Sequence, residues 1–142
     1  KGIFILSNKW DKRFFEMAKL VASWSKDPST QVGAIAVRNR TVIAQGYNGF
    51  PRGINDDSRY DNRPIKYKYI VHAEMNAICN AARQGASTLD MAIAITCEPC
   101  LMCAKLLHHA GITMVIYGSN NYSRDGIKYL KNNGIGCLEV ST

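Results

Sequence analysis

Three side chains constrain this sequence more than any others: His72, Cys100 and Cys103. They stand in His72-Ala73-Glu74 and in Pro99-Cys100-Leu101-Met102-Cys103. Imidazole and thiolate are the donors that zinc favours. Cys100 and Cys103 are three positions apart, which puts both sulfurs on one face of a helix. Each motif opens a predicted helix, and the positive end of a helix favours a thiolate. If one metal holds all three, two segments well separated in sequence must meet at two helix ends. Three protein ligands on a tetrahedral zinc leave its fourth position open, as in a catalytic site.

Glu74 is the natural proton shuttle of such a site, because a carboxylate beside the metal can take a proton and pass it on. His72 and Glu74 are two residues apart, roughly 200° around an ideal helix. Both can face one pocket only if the metal lies off the helix end. A closed structural site is the competing reading, with Cys97 as fourth ligand in C-x-x-C-x-x-C. Cys97 ends a predicted buried strand, however, where cysteine acts as a small hydrophobe. An iron–sulfur run would need a further cysteine at position 107, which is Leu107. Cys79 and Cys137 stand alone and are expected in the core. His108 and His109 end a helix and are expected at the surface or in packing.

Hydrophobic spacing predicts helices over 10–24, 71–84, 99–109 and 125–131, and strands over 32–38, 41–47, 91–96, 113–117 and 135–140. Residues 38–40 read as a hairpin turn and 46–70 as a long loop. The order α, β, β, α, β, α, β, α, β implies a three-layer α/β/α sandwich around a mixed sheet of about five strands. The 142 residues, 46% hydrophobic, suit one domain over 1–142. No apolar run approaches the ~20 residues that span a bilayer, and residues 2–6 are too short for a signal-peptide core. A soluble, cytoplasmic protein is expected, so five cysteines argue for a metal rather than disulfides. The net charge of +7 suits an anionic partner, either nucleic acid or a phosphorylated small molecule.

The pair H-x-E and P-C-x-x-C, in this order, is the signature of zinc-dependent nucleobase deaminases. Beyond it, the chain resembles deoxycytidylate (dCMP) deaminases over most of its length. The resemblance rests on Ser25-Lys26-Asp27-Pro28-Ser29-Thr30-Gln31-Val32-Gly33-Ala34 and Gly46-Tyr47-Asn48-Gly49-Phe50-Pro51-Arg52-Gly53. It continues in His72-Ala73-Glu74-Met75-Asn76-Ala77-Ile78 and Pro99-Cys100-Leu101-Met102-Cys103-Ala104-Lys105. The compact length is similar to that of bacteriophage members. The resemblance implies hydrolysis of dCMP to dUMP and ammonia, which supplies dUMP for thymidylate synthesis. It implies zinc on His72, Cys100 and Cys103, with Glu74 as the shuttle. Asn48 would meet the deoxyribose, the backbone of Ala73 the base, and Lys26 and Tyr122 the 5′-phosphate.

The resemblance also implies a homohexamer, activated by dCTP with Mg2+ and inhibited by dTTP. Tyr47, Asn48, Gly49, Arg52 and Gly53 would form the effector site, with Asp56 or Asp57 touching the sugar or magnesium. Asn48 would border both sites and could couple them. Neither a nucleic acid nor a membrane is expected as partner. Two alternatives share the zinc motif. One is a deaminase acting on tRNA adenosine. The other is a non-catalytic zinc-stabilised module gripping single strands with Tyr60, Tyr67, Tyr69, Lys66 and Lys68, in which Glu74 would have no role.

Overall fold

A computed structural model describes residues 9–54, 62–119 and 123–141. In chain order its elements are α1 (Lys9–Ala22), β1 (Gly33–Arg38), β2 (Thr41–Tyr47), α2 (Arg63–Tyr69), α3 (Ala73–Arg83), β3 (Ala92–Ile95), α4 (Leu101–His109), β4 (Met114–Gly118), α5 (Asp125–Asn132) and β5 (Gly136–Val140). The five strands form one sheet in the order β2-β1-β3-β4-β5. β1 runs antiparallel to β2 and β3, whereas β3, β4 and β5 are parallel. The parallel pairs follow from the crossovers through α4 and α5, and the antiparallel β1–β2 pair from a hairpin. Asn39 and Arg40 both take positive φ, 52° and 61°, which matches the twist of a two-residue hairpin turn.

Side-chain alternation along the strands separates two cores. Ile35 and Val37 of β1, Ala94 and Ile116 pack under α1 against Phe14, Phe15, Ala18 and Val21. Ala34, Ala36, Ile93, Ile95 and Val115 face the other way, toward Ala77 and Ala81 of α3, Leu107 of α4 and Leu130 of α5. The result is the expected three-layer sandwich with a mixed five-stranded sheet. Small residues let α3 sit close on the sheet. A Cβ on Gly46 of β2 would strike the backbone nitrogen of Ala77 and lie 2.7 Å from the carbonyl oxygen of Ala73. That contact seats the first turn of α3, where Glu74 is carried.

The predicted 46–70 loop needs correction, because it contains α2. Its sequence hid the helix, since α2 is seven residues long and its buried residue is Lys66, so it has no apolar stripe. Local signals set its start: Asn62 accepts a hydrogen bond from the amide of Ile65, and a proline occupies the first turn. Three helix ends also differ by two residues. α1 stops at Ala22 rather than at 24, while α3 and α4 begin two residues later than predicted. Cys79, expected in the core, is exposed on α3, and Cys137 is half-buried against the core. Among the described residues, no helix is long and apolar enough to cross a membrane.

Candidate active site

The two later helix starts make the site. His72 is the cap residue of α3, with extended backbone (φ −67°, ψ 153°), so its ring leaves the helix axis instead of lying along it. Glu74 stays in the first turn. This resolves the 200° conflict expected for an ideal helix, because His72 is outside the helix and both side chains line one cavity. Cys100 caps α4 in the same extended form (φ −71°, ψ 167°), its sulfur accepting the amide of Cys103 at 3.4 Å. The turn after β3 thus delivers both cysteines to the end of α3. α5 closes on this turn, for a Cβ on Gly126 would strike the carbonyl oxygen of Pro99.

The donor atoms of His72, Cys100 and Cys103 all lie within 4.8 Å of one another. His72 Nδ1 is 3.7 Å from Cys100 Sγ and 3.3 Å from Cys103 Sγ. Tetrahedral zinc with ordinary Zn–S and Zn–N bonds would hold sulfur and nitrogen about 3.6 Å apart. The residues therefore fit zinc in both donor chemistry and spacing. Cys97 is outside this group among the described residues, and it packs against the core. Burial first, with the neighbouring Glu74 and Cys100 charges adding, pushes its thiol up to about 12.

One donor of the three, Cys100, is held as a thiolate beside a protonatable acid. Hydrogen bonds from Cys103, then from His72, bring the Cys100 thiol down to about 3. Cys103 moves upward, first because its thiol bonds to Cys100 and then through burial. His72 is raised by its bond to Cys100 against the opposing effect of burial. Burial pushes Glu74 up to about 7, although its own backbone amide and His72 pull the other way. A buried carboxyl held near neutrality suits a group that must both take and give a proton.

The catalytic cavity measures about 450 Å³. Its far wall is polar and was only partly foreseen. Asn48 is buried there, its side chain donating to the carbonyl of Thr30 at 2.8 Å and accepting the amide of Val32 at 2.8 Å. Lys66 and Asp27 form a buried ion pair at 2.9 Å in the same wall. Arg63 and Tyr67 also line the cavity, as does buried Glu98, which lies 3.8 Å from the Arg124 guanidinium. Arg63 and Glu98 lie in no motif, and Asp27 was given no role although it stands in the Ser25–Ala34 segment; the buried Lys66, unusual as an interior residue, carries a signal once α2 is known.

Asp27 makes a testable prediction about acid stability. Burial alone would raise its carboxyl, but hydrogen bonds from Lys66, Ser29 and Thr30 together hold it below the ordinary 3.8. The resulting stability is present above that value and is lost as pH falls through the lower folded one. Thermal melts of the wild type should therefore fall more steeply below about pH 4 than those of Asp27→Asn. Parallel curves for the two proteins would refute this.

A second cavity, about 290 Å³, lies on the other side of the same wall. Tyr47, Gly49, Arg52 and Gly53 line it, as does Lys26. Lys26 thus lines this cavity and not the catalytic one, where the resemblance had it near the phosphate. Asn48 lines the catalytic cavity while both its neighbours line the second. The alternation of side chains along extended backbone explains this two-faced arrangement. Ala73 is buried beside Glu74 in the catalytic cavity. Asp56, Asp57, Tyr60 and Tyr122 lie outside the described residues.

Residues 8–119 match the family described as the cytidine and deoxycytidylate deaminase zinc-binding region. An uncharacterized deaminase of Aliivibrio fischeri is 46% identical over 76% of this chain and 71% of its own length. Deoxycytidylate deaminase of Mus musculus is 40% identical over 80% of this chain and 67% of its own length. A probable deoxycytidylate deaminase of Drosophila melanogaster is matched over 61% of its length, so the chain spans under two thirds of that relative. The dCMP deaminase of cyanophage S-TIM5, solved in complex with dCMP and dUMP, superposes with a TM-score of 0.82 at 25% identity, covering 95% of this chain and 99% of that one. The family match, the relatives and the His72–Cys100–Cys103 group of this chain agree: the chain belongs to the zinc-dependent cytidine and deoxycytidylate deaminase family.

Proposed function

We propose that this protein hydrolyses dCMP to dUMP and ammonia. The observation that carries the proposal is one cavity lined by His72 and Cys100 of the three-donor group, by the buried carboxyl of Glu74 and by the buried amide of Asn48. Bound zinc would supply an activated water. Glu74 would take one proton from the water as its oxygen bonds to C4 of the cytosine ring and deliver it to N3; it would then carry the proton of the new C4 hydroxyl to the amine, which leaves as ammonia when the C4–N bond breaks. The backbone of Ala73 holds the base, and Asn48, fixed by three backbone and side-chain partners, meets the deoxyribose. Tyr122 remains a proposed phosphate contact. The dUMP formed suits supply to thymidylate synthesis.

The second cavity supports a regulatory reading. Its lysine, its arginine and its glycine backbone suit a triphosphate, for which dCTP with Mg2+ as activator and dTTP as inhibitor are proposed. Tyr47, Gly49, Arg52 and Gly53 would form this effector site, with Asp56 or Asp57 as further contacts and Asn48 between the two ligands. A homohexamer and a cytoplasmic setting accompany this reading, as does a phage-type affinity.

The test is ammonia release from dCMP by zinc-loaded protein, alone, with dCTP plus Mg2+, and with dTTP. The expected result is turnover that rises with dCTP and falls with dTTP. No turnover under any condition, with one zinc per chain, would overturn the dCMP assignment and direct attention to tRNA substrates. Turnover indifferent to both triphosphates would remove the regulatory part alone.

A further inference from the structure

We infer that α2 is the specificity element of the catalytic cavity: Arg63 faces the substrate's phosphate, and the buried Lys66–Asp27 pair positions Arg63 there. The inference rests on the proposed monophosphate substrate and adds Arg63, Lys66 and Asp27 to its recognition. A lysine is almost never fully buried unless paired. Here Lys66 is the buried residue of a seven-residue helix, so an ammonium group, not an apolar side chain, docks α2 on the protein. Its Nζ donates to Asp27 Oδ1 at 2.9 Å and to Ser29 Oγ at 3.5 Å.

Asp27 passes this docking on to the cavity wall. The same Oδ1 accepts the amides of Ser29 at 2.8 Å and Thr30 at 3.3 Å, and Oδ2 accepts the side-chain amide of Asn48 at 3.4 Å. One carboxylate therefore fixes α2, the residue 29–30 turn and Asn48 at once. The Lys66 charge is compensated by Asp27. Among the described residues lining this cavity, Arg63 is then the cation left for an anionic group, apart from the ligand His72. Its guanidinium donates to Tyr67 Oη at 2.9 Å, one turn further along α2. A guanidinium presents a planar fork that matches phosphate oxygens.

The metal end of the cavity is anchored separately. The Val71 amide donates to the Gly49 carbonyl at 2.7 Å and the Val71 carbonyl accepts the Gly49 amide at 3.1 Å, immediately before His72. Releasing Lys66 should thus let the Arg63 end of α2 move while His72 keeps its place. The consequence is a loss of phosphate recognition with zinc and chemistry retained.

The test compares wild type, Arg63→Ala, Asp27→Asn/Lys66→Met and the triple variant, with dCMP and with deoxycytidine. The double variant removes both charges together, because a single substitution would strand a buried charge. Arg63 is exposed, so Arg63→Ala reports even if the double variant does not fold. The expected result for Arg63→Ala is a KM for dCMP raised at least about tenfold, with kcat within about threefold, as for a lost charge-assisted bond. Zinc content and kcat/KM for deoxycytidine should be unchanged. The double variant should raise the KM for dCMP at least as much, since the Asp27–Asn48 bond is lost with it, and adding Arg63→Ala should cost little more, because the pair acts on the phosphate through Arg63. A wild-type KM in Arg63→Ala would overturn the inference. Additive effects of the pair and Arg63 would overturn the positioning role. Absence of dCMP turnover by the wild type would instead count against the proposed substrate.

Discussion

Glu74→Gln is expected to lower kcat by about 10²- to 10⁴-fold, the usual contribution of a positioned acid–base group. The substitution keeps the volume and polarity of the side chain but removes its ability to carry a proton. Glu74 is 4% exposed in the first turn of α3 and makes no part of the three-donor zinc group. Zinc content should therefore stay at one per chain. Substrate affinity should change little, since the amide can still accept a hydrogen bond. Kinetics with dCMP and metal analysis on the same preparation check this. Activity within tenfold of wild type would show that another group moves the proton. The binding-module alternative, in which Glu74 has no task, predicts instead no measurable turnover of dCMP by the wild type.

Cys103→Ala is expected to abolish both metal binding and turnover. Cys103 is fully buried and supplies one of the three donor atoms. Two remaining donors cannot hold a tetrahedral zinc against water with comparable affinity. The control is Cys97→Ala, which should keep its zinc because Cys97 stands outside the donor group. Loss of zinc from Cys97→Ala would revive the closed four-ligand reading. A ligand at 100 times its Kd stabilises a protein by about 2.7 kcal/mol. Wild type and Cys97→Ala should therefore melt higher in excess zinc, and Cys103→Ala should not. The cavity left by removing a buried sulfur should lower the Tm of Cys103→Ala even without metal.

Some of this protein was written locally in its sequence. The strands and most helices follow from hydrophobic spacing, and a mixed α/β sandwich follows from their order. The zinc ligands and Glu74 were legible because metal chemistry admits few donor types and the cysteine spacing fits one helix turn. The tertiary structure decided the rest. Whether His72 and Glu74 could serve one cavity depended on His72 being the cap of α3 rather than its first turn. Helix boundaries of this kind are set by capping geometry that pattern reading misses by a residue or two. Lys26 and Asp27 are adjacent in sequence, yet they line opposite cavities. Backbone direction fixes that choice, and residue type does not. α2 escaped notice because a buried ion pair docks it, and a charged residue reads as exposed until its partner, Asp27, is brought beside it. The sequence by itself thus determined which atoms could hold the metal and move the proton. The fold alone determined which polar groups line the cavity beside them, because those groups come from segments that meet only when the sheet and helices pack.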